Sequence, residues 1–77
     1  MKPLPELNLG LAVKVFRKRA GTSQQKLAGK VSVTVTHISH IENNKADPSI
    51  NLLRKIASAL GTSLEALLLK ALGKETP

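Results

Sequence analysis

Residues 23 to 44, SQQKLAGKVSVTVTHISHIENN, carry two short helical patterns with almost nothing between them. Leu27, Ala28 and Val31 stand at i, i+1 and i+4, a narrow apolar stripe, and Ser23 just before them offers a side-chain oxygen to an orphan backbone N–H. Ser32 and Val33 are too few for a strand. Thr34 then offers a second cap, with Ile38 and Ile41 spaced i, i+3 behind it, so a second helix is expected over residues 35 to 43. The small Ala28 lets the two helices approach closely.

The same grammar places three more helices. A first helix near residues 8 to 20 puts Leu9, Val13, Phe16 and Ala20 on one face, with Phe16 as the one aromatic plug of the core and Gly21 as a left-handed cap. Asp47-Pro48 makes a loop, Ser49 caps a fourth helix, and Ile50, Leu53, Ile56, Ala57 and Leu60 keep helical spacing up to the stop at Gly61. Ser63 caps a fifth, where Leu64, Leu67 and Leu68 face inward. Leu69 and Leu72 widen that stripe beyond what a monomer requires. The predicted fold is all-α, a compact five-helix bundle in one domain of residues 8–72. Residues 1–7 are expected to form a flexible arm and 73–77 a frayed tail. With one aromatic residue in 77, Leu, Ile, Val and Ala must supply nearly all the buried area.

Several function classes drop out. There is no cysteine, hence no disulfide framework and no thiolate metal site. His37 and His40 at i, i+3 lack an obvious third ligand on their face, no HExxH spacing or Gly-rich phosphate loop occurs, and Asp47 and Glu65 stand isolated. No catalysis, metal or cofactor is expected. No apolar run approaches the roughly 20 residues of a membrane span, and Lys14 interrupts the N-terminal apolar stretch before it reaches signal-peptide form. A membrane-surface helix would want Trp, which is absent. A cytoplasmic location fits these features.

Charge points the other way, toward a polyanion. Lys14, Arg17, Lys18, Arg19, Lys26, Lys30 and Lys45 face Glu42 alone, so six of the chain's seven net positive charges lie between residues 14 and 45. Such a field attracts nucleic acid by counterion release but specifies no sequence. At 100° per residue, Thr36, Ser39, His40 and Asn43 share the face of the 35–43 helix opposite Ile38 and Ile41. Short polar side chains of this kind carry the donors, acceptors and methyl groups that read base edges in a major groove.

These residues resemble the helix-turn-helix domains of phage repressor and Cro proteins, the XRE family. Ser23, Gln24, Gln25, Lys26, Leu27 and Ala28 are similar to the family's run of Ser or Thr, Gln, two free positions and Leu-Ala, and Ile38 to Asn43 resembles its Ile-Ser-any-Ile-Glu-Asn ending. Leu9-Gly10, Val13, Phe16, Arg17 and Gly21 resemble the family's first helix, and Pro48, Leu53, Ile56, Ala57, Leu60 and Gly61 its fourth. The chain departs from the pattern at Ser32 and Asn44, where the family usually has Gly at left-handed positions, and at Val35, where it often has Arg or Gln.

The resemblance implies a lambda-repressor-like bundle and a set of roles. Val35, Thr36, Ser39 and His40 would read bases, the first two against thymine methyls and His40 as a donor to a guanine or thymine acceptor. Gln24, Thr34, His37, Asn43 and Lys45 would meet phosphates. Arg17 and Glu42 resemble a pair that links the first helix to the end of the recognition helix. The implied function is a sequence-specific regulator of transcription, a repressor or restriction-modification controller, acting on double-stranded DNA as a homodimer through Leu69 and Leu72. The alternative is an antitoxin that binds both its operator and a toxin partner.

Overall fold

The computed structural model describes residues 7–73. Five helices follow one another: α1 Leu9–Arg19, α2 Gln24–Lys30, α3 Val35–Glu42, α4 Ile50–Ala59 and α5 Leu64–Ala71. No strand occurs among the described residues. The expected arm and tail lie outside the described residues except for Leu7, which is exposed, and Gly73.

All four expected hydroxyl caps form. Ser23, Thr34, Ser49 and Ser63 have extended backbones, and each side-chain oxygen accepts the amide N–H three residues on. α1 uses a fifth cap of the same kind, Asn8, whose Oδ1 accepts from Leu11 N at 3.0 Å. The turns rest on left-handed residues: Gly21 ends α1 at φ 65°, Ser32 joins α2 to α3 at φ 59°, and Asn44 follows α3 at φ 57°. The last two are the positions where the sequence departs from a family glycine, and the backbone keeps the glycine-like conformation with another residue in it.

The core is aliphatic. Leu27, Ala28 and Val31 of the α2 segment meet Ile38 and Ile41 of α3, and Ala12, Val13, Ile56, Ala57, Leu60, Leu67 and Ala71 complete the cluster. α1 packs on both α3 and α5, so the first and last helices lie together. Two expectations need correction, on Phe16 and Ala20. Phe16 is half-buried at the rim of this cluster, with the Arg19 guanidinium 5.5 Å from its ring centroid, rather than a central plug. Ala20 is the exposed C-cap of α1, one residue past the helix whose face it was expected to extend. Ile50 is 54% exposed because it occupies the first turn of α4 at the rim of that helix's stripe. The fully buried positions of α4 begin at Leu53.

Candidate nucleic-acid interface

α3 is short, and its two faces are sharply divided. Ile38 and Ile41 are fully buried against α2, whereas Val35, Thr36 and His40 are exposed. His37 and Ser39 are half-buried at the flanks. The Thr34 cap fixes the start of the helix through a 3.1 Å bond from His37 N to Thr34 Oγ1. A row of two β-branched methyl-bearing side chains and an imidazole is thereby held on the outside of a helix whose inside cannot rotate without exposing two isoleucines.

The far end of α3 is held by a buried carboxylate. Glu42, 7% exposed, is the one buried charged residue among those described. Its Oε2 accepts from Arg17 Nε at 2.6 Å, and its Oε1 accepts from Arg17 Nη2 and Gln24 Nε2, both at 3.0 Å. Arg17 Nη1 donates to the Thr22 carbonyl at 2.9 Å, between α1 and α2. One carboxylate thus ties the ends of three helices, with the bidentate geometry that only a guanidinium offers.

A second attachment lies one turn away. Gly10, buried in the first turn of α1, rests directly on α3: a Cβ there would stand 2.5 Å from the Glu42 carbonyl oxygen and 2.7 Å from that of Ile41. Glycine is required by this approach of backbone to backbone, not by its φ. Asn44 Oδ1 accepts from Gly10 N at 2.9 Å, and Asn44 Nδ2 donates to Asn8 Oδ1 at 2.8 Å.

The phosphate candidates fall into two groups. Thr34 and Lys45 are exposed, and His37, three residues after Thr34, is half-buried. Gln24, half-buried, already gives one amide proton to Glu42, which leaves its second for an outside acceptor. Asn43 folds back on its own helix, donating to the Ser39 carbonyl at 2.9 Å with Ser39 Oγ at 3.5 Å. Ser39 and Asn43 therefore engage each other, while Val35, Thr36 and His40 stand clear. No group of three His, Cys, Asp or Glu among the described residues is placed to hold a metal ion. No described helix is long and apolar enough to cross a membrane.

Residues 13–67 match the helix-turn-helix family model, a span that contains α2, the Ser32 turn and α3 in full. The chain belongs to the XRE-type helix-turn-helix family. The immunity repressor protein of Bacillus phage phi105 is 30% identical to it over 70 residues, 91% of this chain and 46% of that protein. The chain spans about half the length of the curated relatives it matches. The clp gene regulator ClgR from Corynebacterium glutamicum superposes with a TM-score of 0.85 at 32% identity, over 95% of this chain and 78% of that one. The biofilm regulator SinR, solved in complex with DNA, superposes with a TM-score of 0.73 at 38% identity over 78% of this chain and 97% of that one.

Just ahead of this matched span, sequence reasoning missed Asn8 and the role of Gly10. Asn8 carried a usable signal, since Asn is a strong N-cap residue and stands just before the apolar period of α1. Gly10 gave none, because its partner backbone lies more than thirty residues away.

Proposed function

We propose that this chain is a sequence-specific regulator of transcription that places α3 in the major groove of double-stranded DNA. The observation that carries the reading is the exposed row Val35, Thr36 and His40 on a helix fixed at its start by Thr34 and at its end by the Arg17–Glu42–Gln24 cluster. Base edges are read only by groups presented in a fixed register, and this helix supplies both the groups and the register. Ser39 joins the readers when Asn43 releases it for a base or a phosphate. Gln24, Thr34, His37, Asn43 and Lys45 are the phosphate contacts, in a field to which Lys14, Lys18, Lys26 and Lys30 add exposed charge.

Repression is the favoured sense of regulation, because the phi105 relative is named a repressor, while ClgR and SinR are named regulators. The same names favour regulation over the antitoxin reading. Action as a homodimer on a two-fold site is supported by Leu69 and Leu72, each 36% exposed on and just beyond α5. Selection of bound duplexes from a random pool, followed by sequencing, tests the reading. An enriched motif with two-fold symmetry is the expected result. Recovery of unenriched sequence would reduce the protein to a nonspecific polyanion binder.

A further inference from the structure

We propose that Asn8 and Asn44 form a clip that sets the angle of α3 against α1, and that this clip governs how sharply the protein discriminates among duplex sequences. The inference rests on the DNA-binding reading and adds two positioning residues that touch no base themselves.

Three observations meet at the clip. Asn44 is the second residue after α3 and sits at φ 57°, a conformation suited to glycine, yet it carries a side chain that is used at both ends. Its Oδ1 takes the Gly10 amide at 2.9 Å, and its Nδ2 gives to Asn8 Oδ1 at 2.8 Å. Asn8 is itself anchored twice, as the α1 cap through Leu11 N at 3.0 Å and through its own N–H to the Ala71 carbonyl at 2.9 Å. The clip therefore joins the end of the reading helix to the start of α1 and the end of α5.

The buried isoleucines and the Arg17–Glu42 pair seat α3 on the bundle, yet the pair grips the end of the helix through a single side chain, Glu42. The clip supplies a second point on a different side of the same end. Leverage makes this matter: eight residues of α-helix span about 12 Å, so a tilt of roughly 5° at Asn44 moves the Val35 end by about 1 Å. Hydrogen bonds to base edges have a working range of only about 0.5 Å. Contacts to phosphates through long, flexible lysines absorb such a shift. Loss of the clip should thus blur sequence choice and leave general DNA affinity in place. The Asn44–Asn8 and Asn8–Leu11 bonds are solvent-exposed, so water replaces them when they break, whereas the Asn44–Gly10 bond is part-buried, so its loss should lower the unfolding midpoint while the core packing keeps the fold.

The test compares wild type, Asn44→Gly, Asn8→Gly, the double variant and Asn8→Asp. Glycine fits the φ of residue 44 without strain and serves as a tolerable N-cap at residue 8, so the variants keep the fold, as thermal unfolding would verify. For each, affinity is measured for a selected duplex and for a scrambled duplex of equal length at one salt concentration. Both single glycine variants should lower the selected-to-scrambled ratio by about threefold to tenfold, the double variant no further than Asn44→Gly, which already removes both bonds of Asn44, and the scrambled affinity should stay unchanged. Asn8→Asp keeps both acceptor bonds and should keep the ratio. Unchanged ratios, equal losses on both duplexes, or losses that multiply in the double variant would overturn the clip. The orientation of α3 relative to α1, from residual dipolar couplings on the DNA-free protein, separates the two layers of the argument. A wild type without sequence preference defeats the DNA-reading function, whereas an α3 that keeps its wild-type orientation in Asn44→Gly defeats the clip whether or not DNA is read.

Discussion

Glu42 is an acid buried in a chain of net charge +7, and its partners explain why it is tolerated. Arg17 cancels its charge with two donors, and Gln24 satisfies the oxygen that Arg17 shares. Removing the guanidinium strands the carboxylate with one neutral donor. Arg17→Met should cost about 3–5 kcal/mol in urea unfolding, and Arg17→Lys, which keeps the charge and loses the fork, should cost less. A loss below about 1 kcal/mol would mark the pair as an ordinary surface bridge. Ser32 poses the opposite case, a residue that works against its own backbone. At φ 59° it carries left-handed strain that glycine lacks, partly offset by the greater freedom of glycine in the unfolded chain. Ser32→Gly is expected to stabilise by about 0.5–1 kcal/mol, seen as a higher urea midpoint.

At the scale of the element, α2 is the helix with the least in its favour. It has seven residues, and Gly29 sits within it with nothing inside 4 Å of where a Cβ would be. Gly29→Ala should therefore add about 1 kcal/mol of stability through helix propensity alone, readable in thermal unfolding as a raised midpoint. How far the elements could be read beforehand follows from the range of the forces that make them. Caps act over three residues and apolar stripes over seven, so Ser23, Thr34, Ser49 and Ser63, and the buried set Leu27, Ala28, Ile38 and Ile41, were legible in the linear chain. Periodicity reports a direction and not a depth, which is why Phe16 was placed on the right helix but too far inside. The exposed face of α3 was legible for the same reason that the core was, since one face implies the other. The Asn8–Asn44 and Gly10–Glu42 approaches were not, because they join residues separated by more than thirty positions.

The whole molecule brings its positive charge and its reading helix into one half of the chain, so its association with DNA should be dominated by phosphate neutralisation. Log affinity for duplex DNA should fall linearly with log salt, with a slope near −0.9 for each phosphate contacted. A flat response would remove Gln24, Thr34, His37, Asn43 and Lys45 together as contacts. Assembly is the other property that belongs to this scale. Leu69 and Leu72 are each 36% exposed and Leu11 on the neighbouring α1 is 46% exposed, apolar side chains that a second copy would cover. Leu72→Glu should shift sedimentation from dimer to monomer, and an unaltered boundary would place the seam on another face.

The hydrogen bond from Asn8 N to the Ala71 carbonyl closes the bundle into a loop. The backbone at Asn8, ahead of α1, and at Ala71, the last residue of α5, therefore lies at the same spot. Joined to a longer polypeptide, the bundle would ask nothing of the distance between the segments on either side. It could be spliced into a surface turn of another protein, or have its ends sealed and be reopened elsewhere, with its interior undisturbed.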